Sequence, residues 1–352
     1  MNIPKWHDLA NLPLSNEEWA SYYPLLFWTQ KGKDKALYHL KNAKLGSPIL
    51  VSSPQTNGRF ASPIFSDQEK IHKKQLRFSQ QFCRMILAYL LFGTPLLLWF
   101  TDLFFTTLWT FILLTIGAYE RFNYKLFKPK NGYYLEERWK FYSWNSTKFV
   151  YYCYPFLGFM VAIGIIQITF ANFLGTNEKY LISYGLIYEK VTQYNEWWRI
   201  FTAIFLHLDL AHWLSNALMG TVFFAMYGPA IGIRIVPIAL VTATLSFFTA
   251  YLGQLFFGFD SDGIIGFSGG IAGVLGYFLS ANLRFPEVFP KYHWVTTLHF
   301  ANLTFLTVSL VLGTGSIITH VSGFLFGIIL GFLAKPISSL FFTLNQEASL
   351  ER

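Results

Sequence analysis

Apolar residues fall in long unbroken blocks, neither alternating as in a half-buried strand nor confined to the stripe of an amphipathic helix. Six such blocks lie at about 149–174, 210–228, 235–256, 264–282, 294–312 and 316–334. Each approaches the roughly 20 helical residues needed to cross a hydrocarbon core. Two earlier runs, Phe82–Phe100 and Leu103–Ala118, are separated by Thr101-Asp102 and predict a helical hairpin. Its second arm is short enough to tilt, lie at the interface or re-enter. The pattern divides the chain into a segment at 1–80, the hairpin at 81–119, a connector at 120–148, a six-helix core at 149–334 and a tail at 335–352. The fold class expected is an all-α polytopic membrane protein.

Composition agrees with the blocks. Of 352 residues, 53% are hydrophobic and 13% charged, against about a quarter charged in ordinary soluble chains. A mean hydropathy of +0.37 cannot be confined to one buried core. Two cysteines, Cys83 and Cys153, exclude a disulfide framework and any zinc site built on paired thiolates.

Charge reads as topology. The net charge of +8 would raise nucleic acid as a partner in a soluble protein, but its distribution argues against that. Residues 1–80 hold eleven Lys/Arg against six Asp/Glu, and 120–148 is again basic, as expected of segments kept in the cytoplasm. No apolar stretch with a cleavage signal occurs in the first 80 residues, so the N-terminus is expected inside. That segment mixes Trp6, Trp19, Tyr22, Tyr23, Phe27 and Trp28 with lysines and turn residues, which suits a small folded module without recognisable chemistry. Between 201 and 335 the formal charges are Asp209, Arg234, Asp260, Asp262, Arg284, Glu287, Lys291 and Lys335, all at or between proposed spans. Six crossings put Arg234, Arg284, Lys291 and Lys335 inside and the three aspartates outside. The polar, aromatic stretch 175–199 then reads as an external loop at the lipid headgroups.

Hydrophilic side chains within apolar runs are costly unless partnered, so they are where chemistry is sought. Three sites qualify. At the entry to the second core helix, His212 and Asn216 are four apart and share a face, with His207 just before them. No glutamate follows His207 in the HExxH manner, so a zinc protease is a weak reading, and interhelical hydrogen bonding is the plain alternative. At the start of the fourth, Ser268 stands within Gly266-Phe267-Ser268-Gly269-Gly270, with Gly273 and Gly276 beyond. Glycines beside a helix N-terminus leave a serine hydroxyl room and free amides for an oxyanion, although small-residue packing explains the same pattern. In the sixth, Gly323 and Gly327 lie within about 60° and 20° of His320 around the helix, so the histidine rides on a glycine face. Two facing glycine stripes would bring His320 to Ser268, the minimum device for activating a serine. All three sites fall on the outer half of the membrane, and that coincidence favours one shared site.

These residues resemble the rhomboid intramembrane serine proteases, over about 149–334. The resemblance rests on Trp198-Arg199, His212 with Asn216, Gly266-Phe267-Ser268-Gly269, and His320 with Gly323 and Gly327. It implies Ser268 as nucleophile, His320 as general base, and Asn216, His212 and the Ser268 amide as oxyanion donors. Supporting roles fall to His207, in the loop entering the second helix, to Arg199, as a structural arginine of the external loop, and to Gly266, Gly269, Gly273, Gly323 and Gly327. It also implies membrane-protein substrates cut near a small residue in a locally unstable helix, the lipid bilayer as surroundings, and no metal, nucleotide or redox cofactor. The expected location is the inner membrane of a bacterial cell.

The sequence departs from the family in two ways. Ala272 stands where an aromatic often packs on the catalytic histidine, and the hairpin at 81–119 is additional. A helix-binding relative that does not cut is the first alternative; a transporter is the second, but the spans lack a path of charges.

Overall fold

The computed structural model describes residues 17–23, 28–42, 49–54, 80–81, 84–100, scattered positions from 110 to 148, then 150–258, 263–286, 289–290, 292–301 and 314–334. Asp260, Asp262, Lys291, Lys335, the tail and most of the 103–118 arm lie outside the described residues. The chain divides into two units, one holding 1–150, 285–299 and 338–352, the other 151–284 and 300–337.

In the first unit, strands β1 (Ala20–Tyr23), β2 (Trp28–Lys31) and β3 (Leu50–Ser52) form an antiparallel sheet in the order β2-β1-β3, with helix α1 (Lys33–Lys41) between β2 and β3 in sequence. This sheet adds strand to a segment whose sequence suggested only a folded module. Tyr23 stacks on Trp28 and its hydroxyl meets His39 Nε2 at 2.9 Å, so the aromatics stabilise the hairpin. Further on, a π-helical turn at Tyr89–Gly93 runs into α2 (Thr94–Phe100).

The second unit is predominantly helical. It contains nearly all of α3 (Val150–Leu174), then α4 (Asn177–Tyr184), strand β4 (Leu186–Ile187), α5 (Tyr188–Tyr194) and α6 (Arg199–Thr202). A 3₁₀ turn at Ala203–Phe205 leads to α7 (Leu210–Ile231), α8 (Ile235–Phe257), β5 (Gly263–Ile264) and α9 (Ser268–Arg284). Helix α10 (His293–Ala301) lies mainly in the first unit, and α11 (Thr314–Leu333) closes the second.

Helix α3 bears Ile165, Ile168 and Phe173 outward, the last two 65% and 85% exposed. An apolar helix that points its large side chains away from its own protein needs lipid around it. Helix α9 is the reverse, with every residue from Gly269 to Asn282 buried. It is the centre of the unit, packed by α7, α8 and α11. Helices α7 and α8 are joined by a tight turn through Gly232, and Trp213 Nε1 ties α7 to α3 through the Met160 carbonyl at 2.9 Å.

The stretch 175–199 is more ordered than a loop at the headgroups requires. Thr176 caps α4 by accepting the Lys179 N–H at 3.1 Å, and β4 pairs antiparallel with β5, setting Leu186 opposite Ile264. That ladder fastens the stretch to the segment leading into α9.

Candidate active site

Helix α9 begins at Ser268, later than the apolar block at 264 suggests, because Gly266 has φ +119°, where a helix cannot run. The Gly266 N–H donates to the Ala203 carbonyl at 3.0 Å, which pins this turn to the 3₁₀ segment. Phe267 packs its ring on Phe159 with centroids 5.6 Å apart and anchors the turn from below. Ser268 is thereby the first residue of a helix, where amides have no intrahelical partner and the helix dipole favours negative charge.

His320 reaches this point from α11. Its Nε2 lies 2.6 Å from Ser268 Oγ, and the imidazole is 3% exposed. The approach depends on glycines on both helices. A Cβ at Gly323 would strike the Gly269 carbonyl, one at Gly327 the Gly273 carbonyl, and one at Gly276 the Phe324 carbonyl. Backbone therefore lies on backbone over about two turns of α9, with His320 just before the contact on α11. On the other side of α9, Gly269 and Gly273 receive Ser246 and Thr242 of α8. Those hydroxyls satisfy themselves on the Ala243 and Ile238 carbonyls of their own helix, both at 2.7 Å.

Helix α7 supplies the remaining polar groups. Asp209 caps it, accepting the His212 N–H at 2.7 Å. A Cβ on Gly266 would lie 2.8 Å from Nε2 and Cε1 of His212 and 3.5 Å from Nδ2 of Asn216, so both side chains face the backbone just before the serine. Asn216 is 5% exposed and its Nδ2 has no hydrogen-bond partner. A buried donor left unpaired costs about 1–3 kcal/mol, which makes it a group waiting for an acceptor. His212 Nδ1 accepts the Leu208 N–H at 3.5 Å, leaving Nε2 to donate.

His207 stands behind His212, its ring edge-on at 5.2 Å between centroids. It sits in the loop ahead of α7, and burial first, then the neighbouring His212, lowers its pKa to about 3, outweighing the Phe205 backbone. Arg199 opens α6, at the end of the stretch 175–199. Its guanidinium is buried, pairs through Nε with Glu196, donates to the Ile182 and Gly185 carbonyls at 3.0 and 2.7 Å, and rests on the Trp198 ring at 4.7 Å. It closes the C-terminal end of α4. Ala272 is fully buried, one turn into α9 from Ser268.

Residues 194–337 match the family model described as Rhomboid domain. The chain carries a rhomboid domain. No curated protein matches it. The rhomboid domain is that of an intramembrane protease family, and the domain together with the apolar helices marks an integral membrane protein. The matched region starts at the last residue of α5 and takes in Arg199, His207, His212, Asn216, Ser268 and His320. Helices α3 and α4 precede it, and they contribute two groups the sequence reading passed over. Gln167 of α3 and Asn177 of α4 bond the loop that carries His207. The signal was present, because Gln167 is a lone glutamine in an apolar span.

Proposed function

We propose that the protein is a serine endopeptidase that cleaves transmembrane or juxtamembrane segments of other membrane proteins. The observation that carries this reading is the 2.6 Å contact between Ser268 Oγ and His320 Nε2, made by two helices whose glycines allow it. Ser268 Oγ attacks the scissile carbonyl carbon and its proton passes to His320 Nε2. The oxyanion is received by the Ser268 N–H, Asn216 Nδ2–H and His212 Nε2–H. His320 then returns the proton to the leaving amine as the C–N bond breaks, and later draws a proton from the water that releases the acyl group. A fully hydrogen-bonded substrate helix hides its carbonyls, so the preferred substrates have a locally unstable helix; the family resemblance adds a small residue before the cut. The basic segments at 1–80 and 120–148 belong on the cytoplasmic side and the dyad near the opposite face.

A fluorophosphonate probe is expected to label the wild type and not Ser268→Ala. Co-expression with a panel of tagged single-span proteins should give fragments that vanish with the same substitution. Absence of both in a folded protein favours the second reading, a rhomboid-like protein that binds transmembrane helices without cutting them. The feature on that side is Ala272, at the position where the family that the sequence resembles often carries an aromatic packed on the catalytic histidine.

A further inference from the structure

Helix α3 carries a single glutamine, Gln167, among residues that face lipid, and its amide is fully used. Gln167 Oε1 accepts the His207 N–H at 2.9 Å. Its Nε2 donates to the His207 carbonyl at 2.6 Å and to Asn177 Oδ1 at 2.9 Å. Asn177 Nδ2 in turn donates to the Leu208 carbonyl at 3.0 Å. Two side-chain amides, from two different helices, therefore grip both sides of the His207 peptide and the carbonyl that follows. The same short loop delivers the Leu208 N–H to His212 Nδ1 at 3.5 Å. A neutral imidazole that accepts at Nδ1 carries its proton on Nε2, the nitrogen facing Gly266. The His207 ring, edge-on to His212, limits rotation of the imidazole on its other side.

We infer that Gln167 and Asn177 are positioning residues for His212. By fixing the 207–208 backbone they select the Nε2–H tautomer and aim it at the oxyanion site beside Ser268. Neither touches the reacting atoms, and both precede the matched rhomboid region. The catalytic consequence rests on the proposed protease reading; the tautomer does not.

The test uses the full chain in detergent micelles with ¹⁵N-labelled histidine, the His212 signals being assigned by their loss in His212→Ala. The wild type is expected to show His212 as the Nε2–H tautomer, and Gln167→Leu to convert it to a mixture. Asn177→Leu should do so in part, and Gln167→Glu, which keeps the acceptor for the His207 N–H, should restore part of the wild-type signal. Turnover of a transmembrane substrate is expected to fall about tenfold or more in kcat with KM unchanged, because misplacing a transition-state donor by about 1 Å costs up to 10²-fold. In a His212→Ala background the same Gln167→Leu change should cost less than about twofold, since the group it acts through is gone. An Nδ1–H wild type, a His212 signal unmoved in folded Gln167→Leu, or equal losses in both backgrounds would overturn the role. If Gln167→Leu does not fold, Gln167→Glu and Asn177→Leu make the same comparisons. A wild type with the expected tautomer and tautomer shift but no turnover refutes the protease reading and leaves the positioning role standing.

Discussion

The position a Cβ would take at Gly323 of α11 is occupied by the Gly269 carbonyl of α9, three residues along from His320 on one helix and next to Ser268 on the other. No side chain can enter there without moving the two helices apart. Gly323→Ala is therefore expected to cost about 1–3 kcal/mol of stability through overpacking. Probe labelling of Ser268 should fall further than unfolding alone accounts for, because displacement at the reacting atoms is amplified in rate. Val321→Leu, on the exposed side of the same turn, should leave both unchanged. Detergent unfolding curves and labelling rates for the three proteins check this.

Asn216 offers a separation of stability from activity. Its buried Nδ2 has no partner in the resting fold, so Asn216→Ala removes an unsatisfied donor and should leave the unfolding midpoint unchanged or raised. The same change should lower kcat by about 10²-fold or more if the amide holds the oxyanion. A midpoint that drops with kcat retained would assign Asn216 to packing instead.

Arg199 should behave in the opposite way. Its guanidinium bonds two carbonyls at the end of α4 and the Glu196 carboxylate, all remote from proton transfer. Arg199→Ala is expected to destabilise the fold by about 2–3 kcal/mol, roughly that of hydrogen bonds to a buried charge. Arg199→Lys should recover only part, since an ammonium cannot fork to carbonyls and carboxylate together. Residual kcat per folded molecule should stay near wild type in single-turnover assays.

The His207 loop makes stability depend on pH. Its imidazole is neutral in the fold, with a pKa of about 3 against the ordinary 6.5, so the unfolded chain binds a proton the folded one refuses. Stability from this group is complete above about pH 6.5 and declines as the pH falls toward 3, by at most about 1.4 kcal/mol per unit. Unfolding midpoints from pH 7.5 to 4.5 should therefore slope less in His207→Gln than in the wild type. Equal slopes would show that the ring is not neutral and buried in solution.

Much of this was legible in the chain because a bilayer penalises every unpaired polar group. The long apolar blocks, the charges between them and the few hydrophilic residues inside them all follow from that penalty. The family match supports the resemblance seen in Trp198-Arg199, His212, Asn216, Ser268 and His320. The three-stranded sheet near the N-terminus was not legible, because strands of three or four residues carry too short an alternation to stand out. The helices within 175–199 were signalled locally by Thr176 before an Asn-Glu pair and by Gly185 after Tyr184, but the polar composition masked them.

Residue order alone determined which groups lie on the glycine faces and at which helix ends, since helical periodicity converts spacing into direction. Only the tertiary structure decided that α9 and α11 touch backbone to backbone, that His212 and Asn216 face Gly266, and that Gln167 reaches the His207 loop. Those contacts join residues 40 or more positions apart, and no local rule of sequence specifies which of several apolar helices will be neighbours. Packing against all the others at once does.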